Sequence, residues 1–256
     1  MNLAKQKYKQ KRADMKKKKN IILLLFFGFL ITQRLTAGYT YNYPDSFIFF
    51  RNTVYMQNNS SSESRLLYTS VKQDIEQSFF GAEKYLLLAR CENLMGIALR
   101  SENKKNEAAS FFEQGIIWAQ ESISILPTSE GYWLLGLNIS FLCEMKTVYA
   151  LANYKKIEEN ARKALDLDPG NLMAKHLIAA FYICAPWPVS DIRKGMSLLE
   201  EILQQNYSSL DWEDQFNLFL ILHVACLKLK RNQEAEIWRA GCEAIYPTNN
   251  FIRLLL

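Results

Sequence analysis

Apolar residues recur every three or four positions from Arg65 almost to the C-terminus, with polar residues between them. This period places the apolar side chains on one face of an α-helix. The pattern predicts successive helices at 65–79, 83–100, 106–126, 130–150, 155–167, 172–184, 191–204, 211–229 and 233–245. Sustained alternation with a period of two residues, which marks a half-buried strand, does not occur. The sequence therefore predicts an all-α protein.

Small residues at a near-constant spacing divide these helices into repeats. Gly96, Gly136 and Ala179 each lie inside an apolar helical run, and His223 takes the corresponding place in the last run. The successive spacings are 40, 43 and 44 residues. Stacked helical hairpins repeat at such intervals, because one hairpin cannot bury its apolar face alone. We therefore expect antiparallel helix pairs stacked in sequence order, with close packing at the small residues.

At these positions the chain resembles the tetratricopeptide repeat (TPR) family, which combines Leu-Gly, Ala, bulky residues and a closing Pro in each unit. The best local matches are Ala161–Asn171 and Gln233–Asn250. The repeats are longer than those of the family, with the excess at Thr147–Asn153 and Cys184–Ser190. In this they are similar to divergent repeats of the regulator-of-microtubule-dynamics type and of bacterial envelope proteins. The resemblance implies a solenoid of about four antiparallel hairpins over residues 65–250.

The resemblance also implies where a partner binds. First helices line the concave surface of a TPR stack, so the candidate groove residues are His176, Ala180, Ile183, Leu220, Val224 and Lys228. Such arrays are typically binding scaffolds rather than catalysts. We therefore expect a protein or peptide partner in this groove.

Residues 1–37 have the pattern of an export signal. The first 19 residues are strongly basic, an unbroken apolar run follows at 21–31, and small residues come at Ala37 and Gly38. This order is typical of a secretory signal peptide. Eleven residues of helix reach about 16 Å, against a hydrocarbon core of roughly 30 Å. We expect export to the periplasm or cell envelope; an uncleaved anchor, with membrane contact through residues 21–31, stays open.

Both ends of the folded part differ in composition from the repeats. Residues 38–64 combine clustered aromatic residues with a polar stretch at 57–64, which predicts an irregular lead-in. Residues 251–256 are strongly apolar, and we expect them either to cap the last repeat or to form an oligomer contact. The sequence leaves the oligomeric state open.

The positive charge of the chain is concentrated in the export signal. Residues 1–37 contain 10 of the 31 Lys and Arg residues but only one of the 26 Asp and Glu residues. The remainder has 21 basic and 25 acidic residues, a net charge of −4. Nucleic-acid binding depends on clustered positive charge, so we predict no nucleic-acid partner.

No sequence motif points to catalysis. His176 and His223 are the only histidines, and neither has a Cys or a carboxylate at metal-ligand spacing. Nucleophile-elbow, phosphate-loop and dinucleotide glycine motifs are absent from the sequence. We therefore predict a non-enzymatic scaffold without cofactor or metal. The alternative hypothesis is a small-molecule or lipid-handling accessory component of an envelope transport system.

Overall fold

The computed structural model describes residues 43–57, 59–205, 207 and 210–251. These residues form eleven α-helices and no strand, so the all-α prediction is confirmed. In chain order the helices are α1 (Asp45–Met56), α2 (Ser61–Ser78), α3 (Gly81–Ser101), α4 (Lys105–Ile125), α5 (Ser129–Met145), α6 (Thr147–Asn153), α7 (Lys155–Leu167), α8 (Leu172–Cys184), α9 (Ile192–Gln204), α10 (Trp212–Lys228) and α11 (Asn232–Ile245). The expected export signal, including the apolar run at 21–31, lies outside the described residues.

Helix α1 lies within the stretch 38–64, where the sequence predicted irregular structure. Phe47, Phe50 and Val54 follow one another at helical spacing and are buried. The helix contacts α2 and α3, and the Phe50 ring lies 6.3 Å from the Tyr68 ring on α2. The aromatic residues on both faces of α1 hid this period in the sequence, so the prediction of an irregular lead-in is wrong for Asp45–Met56.

The polar stretch that follows α1 begins the next helix. The Ser60 side chain accepts a hydrogen bond from the Glu63 amide, and the Glu63 carboxylate accepts one from the Ser60 amide at 2.7 Å. This reciprocal capping box satisfies backbone donors that have no partner inside the helix. Part of the predicted polar linker is therefore the N-terminal cap of α2.

The single helix predicted over 130–150 is also wrong. The chain leaves helical geometry at Lys146, with φ −128° and ψ 100°, and this residue separates α5 from the short helix α6. Lys146 Nζ lies 2.6 Å from the Glu113 carboxylate on α4. Because the residues after the break keep the helical period, periodicity alone did not reveal it.

The described helices pack together as five pairs. In four pairs the two helices are consecutive in the chain, and in the other the short helix α6 lies between them. The paired helices are α1–α2, α3–α4, α5–α7, α8–α9 and α10–α11. The small residues allow the expected close approach, since a Cβ on Gly96 would lie 2.5 Å from the Phe112 ring on α4. His223 fills the corresponding position of the last pair, where its Nδ1 lies 2.9 Å from the Ala235 carbonyl oxygen on α11.

The first helices of successive pairs run in the same direction and contact each other. The contacts that set their register are Arg100–Glu144, Ser129–Asn171 and Ile183–Lys228. The connectors within pairs therefore lie at one end of the helices, which we call the tip edge (residues 101–105, 145–156, 184–194 and 228–232). The connectors between pairs lie at the other end, which we call the base edge (residues 78–84, 125–131, 167–172 and 210–212).

Candidate functional site

Buried charged groups join the first helix to the last helix pair. Glu213, near the start of α10, is 1% exposed. Its carboxylate accepts a hydrogen bond from Arg90 Nη2 on α3 at 2.6 Å and another from Tyr55 Oη on α1 at 2.9 Å. One carboxylate therefore connects three helices, and Tyr55 is 158 residues away from it in the chain.

A second arginine extends this connection. Arg51 on α1 forms an ion pair with Asp211, and its Nε lies 3.7 Å from Glu213 Oε2. Asn217 Nδ2 donates to Tyr55 Oη at 3.0 Å. Buried opposite charges offset their desolvation only when good geometry and further hydrogen bonds accompany them. We call this set the closure cluster; its members are Arg51, Tyr55, Arg90, Asp211, Glu213 and Asn217.

The surroundings of the closure cluster favour cations over further negative charge. Arg90 Cζ lies 5.0 Å from the centroid of the Trp133 ring on α5, a distance at which the ring face attracts a cation. Burial raises the pKa of the neighbouring Asp214 carboxyl well above its usual range, and the charges of Asp211 and Glu213 raise it further. Arg90 therefore connects the closure cluster to Trp133 on α5.

The segment after α11 covers α1 from the other side. The Tyr55 ring packs edge-on against Phe216 on α10 and against Phe251, which follows α11. The ring centroids are 5.7 Å and 6.4 Å away. Asn249 Nδ2 donates to the Tyr55 carbonyl oxygen at 2.6 Å. Of the apolar C-terminal residues 251–256, only Phe251 belongs to the described part, and it is buried. Both ends of the folded chain thus meet at α1.

The candidate groove residues mostly face other helices. Lys228 is exposed and Ala180 is half-buried. The remaining four are buried: His176, Ile183, Leu220 and Val224. Of the predicted groove residues, only Lys228 and part of Ala180 are therefore accessible from solvent in the described structure.

Two of these residues hold the first helices together. His176 Nε2 on α8 donates to the Asn217 carbonyl oxygen on α10 at 3.2 Å. Lys228 Nζ on α10 donates to the Ile183 carbonyl oxygen on α8 at 2.7 Å. Burial lowers the pKa of His176 to about 4, so its imidazole is neutral at physiological pH. His176, Ile183 and Lys228 thus lie at the interface between α8 and α10.

Potential metal ligands are dispersed in the described part of the chain, and three of its cysteines are buried. No set of three His, Cys, Asp or Glu side chains there is arranged to hold a metal ion. Cys226 and Cys242 are buried, and burial raises the pKa of their thiols to about 11 and about 12. The thiolate is the reactive form of cysteine, so these two thiols are poor nucleophiles.

Exposed apolar side chains gather at the base edge. Their exposed fractions lie between 52% and 78%. The residues are Phe80, Ile125, Leu126, Leu167 and Trp212. Acidic residues occupy the same connectors, at Glu83, Glu130, Asp168 and Asp211. Apolar residues that recur along one exposed edge are typical of a protein interaction surface.

The sequence analysis did not single out the closure cluster. One signal was present, because Arg90, Glu92 and Asn93 interrupt an otherwise apolar run from Leu86 to Leu94. A charged residue is seldom buried unless it is paired. However, the partner of Arg90 is 123 residues away, and local spacing carries no information about such a pair.

None of the described helices has both the length and the hydropathy needed to cross a bilayer.

Comparison with known proteins gives no family assignment. No protein-family model matches the chain. No curated protein matches its sequence.

Proposed function

We propose that this chain is a non-enzymatic interaction scaffold of the bacterial cell envelope that binds a protein or peptide partner. The observation that carries the proposal is the recurrence of exposed apolar residues along the base edge. Five large apolar side chains there remain accessible, although the same chain buries comparable residues throughout its core. The apolar surface at this edge would be removed from water by a bound partner.

The architecture supports this proposal. Paired helices in sequence order, parallel first helices and small residues at the close approaches are features of a TPR-like solenoid. With α1 and α2 added, the described helices make five pairs rather than the expected four. Because four of the predicted groove residues are buried, we place the proposed partner contact at the base edge instead of the concave groove. The export signal predicted from residues 1–37 supports the envelope location.

Site-specific photo-crosslinking in cells tests the proposal. A benzophenone amino acid at Leu126 or at Leu167 should give one discrete cross-linked species, because both side chains lie at the base edge. The same amino acid at Ser110, an exposed residue in the first half of α4, is the control and should give none. Ser110 lies about 22 Å from Ile125 along the helix. A purified protein that consumes a metabolite and gives no crosslink at Leu126 or Leu167 would overturn the proposal.

A surface cavity favours the second candidate, a small-molecule-handling component of an envelope transport system. The cavity has a volume of about 450 Å³. Its walls include Tyr154, Phe181 and Tyr182, together with the cations Lys155 and Arg162 and the carboxylates Glu158 and Glu159. Aromatic walls with equal numbers of cations and carboxylates would suit a small organic molecule that carries both charges. A thermal-shift screen of amino acids and organic acids tests this, and a shift of several degrees that Arg162→Ala abolishes would support it.

A further inference from the structure

The two edges of the helix array have opposite charge. The tip edge contains ten basic residues, and all ten are exposed: Lys104, Lys105, Lys146, Lys155, Lys156, Arg193, Lys194, Lys228, Lys230 and Arg231. Its acidic residues are Glu102 and Asp191. The base edge has the four acidic residues named above and one basic residue, Lys84. The folded part is acidic overall, so this positive edge is a local feature that the total charge concealed.

Five of these ten basic residues lie in the first turn of a helix, where a positive charge does not stabilise the helix. The partial positive charge at a helix N-terminus disfavours cations in the first turn. Nevertheless α4 begins with Lys105, α7 begins with Lys155 and Lys156, and α9 has Arg193 and Lys194 in its first turn. Among the described residues, no ion pair involves Lys155 or Lys156. These side chains are therefore free for a negatively charged partner.

The most exposed apolar side chains of the tip edge lie between the basic residues. Val148 and Leu151 are 83% and 76% exposed, and they are three residues apart on α6. None of the residues of α6 is buried. Trp187 is 89% exposed between Pro186 and Pro188, within a turn that the bond from the Val189 amide to the Pro186 carbonyl oxygen closes at 3.0 Å.

The two apolar connectors are neighbours in the fold. Tyr154 and Lys155, where α6 meets α7, line the same 450 Å³ cavity as Val189 from the connector between α8 and α9. Trp187 is two residues from Val189, and Leu151 is three residues from Tyr154. The exposed indole and the exposed face of α6 thus belong to one stretch of the tip edge, flanked by Lys155 and Lys156.

We propose that the tip edge binds the surface of a membrane rich in anionic lipids. Lysine and arginine side chains would contact lipid phosphates, while Trp187, Val148 and Leu151 enter the headgroup region. A row of cations alone would suit any polyanion, but the exposed aliphatic residues beside the cations also gain from burial in an apolar medium, which a bilayer provides directly below its phosphates. Tryptophan, with an apolar body and one polar N–H group, is enriched at this interface in membrane proteins. The proposal does not depend on the protein partner at the base edge.

Vesicle binding by the full chain tests the proposal. The vesicles are phosphatidylcholine alone, or equal parts of phosphatidylglycerol and phosphatidylcholine. The variant Lys155→Glu/Lys156→Glu should weaken binding to anionic vesicles at least about tenfold, because each basic residue near such a surface contributes about fivefold. The matched control Lys84→Glu/Lys163→Glu changes the net charge equally away from the tip edge, and it should bind like the wild type.

Every variant keeps the N-terminal apolar run, which could bind vesicles by itself. A local measurement is therefore needed to show whether the tip edge contacts the vesicle. Amide hydrogen exchange at 147–153 and 185–191 should slow with anionic vesicles and not with neutral ones. Trp187→Ser should weaken anionic binding, whereas Trp212→Ser, at the base edge, should not. Crosslinks at Leu126 and Leu167 should be unchanged in the two tip-edge variants, Lys155→Glu/Lys156→Glu and Trp187→Ser, which keeps this test distinct from that of the proposed function.

Three outcomes would overturn the proposal. The first is equal anionic-vesicle binding by the wild type and the Lys155→Glu/Lys156→Glu variant. The second is slowed exchange confined to residues outside the tip edge. The third is stronger protection of the same segments by duplex DNA or by a polyglutamate peptide than by vesicles, which would assign the edge to a different polyanion.

Discussion

The closure cluster and the tip edge are both rich in charge, and they use it in opposite ways. In the closure cluster, the buried residues Arg51 and Arg90 face the buried Glu213 and the partly exposed Asp211. At the tip edge, ten basic residues face water with two acidic residues among them. Paired buried charges fix the position of helices, whereas exposed charges contribute little to stability even where they form ion pairs. The comparison separates charges that hold the structure from charges that are available to a partner.

The largest expected effect comes from breaking the closure cluster. Glu213→Gln would leave Arg51 and Arg90 buried without their shared carboxylate. Loss of one partner of a buried ion pair costs about 3–5 kcal/mol, and we expect the free energy of unfolding to fall by about 4 kcal/mol. Urea unfolding followed by circular dichroism measures it. Glu121→Gln, on an exposed face of α4, is the control and should change stability by less than about 0.5 kcal/mol.

If both substitutions had the same small effect, α1 and α10 would not be held together by charge. The charges of the closure cluster would then not stabilise the fold, and the contrast with the tip edge would be lost.

The second prediction asks whether α1 belongs to the folded core. Phe50 is 0% exposed and its sequence neighbour Phe49 is 62% exposed, so the pair provides its own control. Phe50→Ala should lower the free energy of unfolding by about 3 kcal/mol, because it leaves a cavity between α1 and α2. Phe49→Ala should change it by less than about 0.5 kcal/mol. Equal effects would place α1 outside the cooperative fold.

The sequence predicted most helices well because periodicity is a local signal. The predicted helices at 155–167 and 172–184 coincide with α7 and α8, and Gly96 lies where a close approach requires it. The break at Lys146 and the N-cap at Asp191 depend on single residues that periodicity does not resolve.

The candidate site was harder to predict because it depends on distant pairings. The family resemblance placed His176 and Leu220 in an open groove, since it gave no information about how the two ends of the array meet. The contact between Tyr55 and Glu213 brings those ends together across 158 residues. The tip edge could not be predicted for a different reason. Its basic residues are spread over four connectors in the sequence, and they come together only because the first helices run in parallel.

A third prediction uses pH to probe the interface beside the closure cluster. The pKa of His176 is about 4 in the folded protein and about 6.5 in an unfolded chain, so between these values the unfolded state binds more protons. Stability must therefore fall as pH falls through this window, by about 1 kcal/mol between pH 7 and pH 5.5. In the variant His176→Gln this part of the pH dependence should disappear. Parallel stability profiles for the two proteins would show that His176 titrates normally.

The smallest expected effect distinguishes charges placed for stability from charges placed for a partner. Lys105 begins α4, where the helix dipole disfavours a cation, and Lys228 ends α10, where the dipole favours one. Lys105→Glu should therefore stabilise the protein by about 0.5 kcal/mol, whereas Lys228→Glu should destabilise it by a similar amount or more.

Thermal unfolding at low salt measures both changes, and high salt should reduce them because exposed charges are screened. If Lys105→Glu proved destabilising, the basic first turns would support the fold. The charge of the tip edge would then need no partner to explain it. A stabilising Lys105→Glu would instead mean that the chain retains a cation at a cost to its own stability, as expected when that charge serves binding.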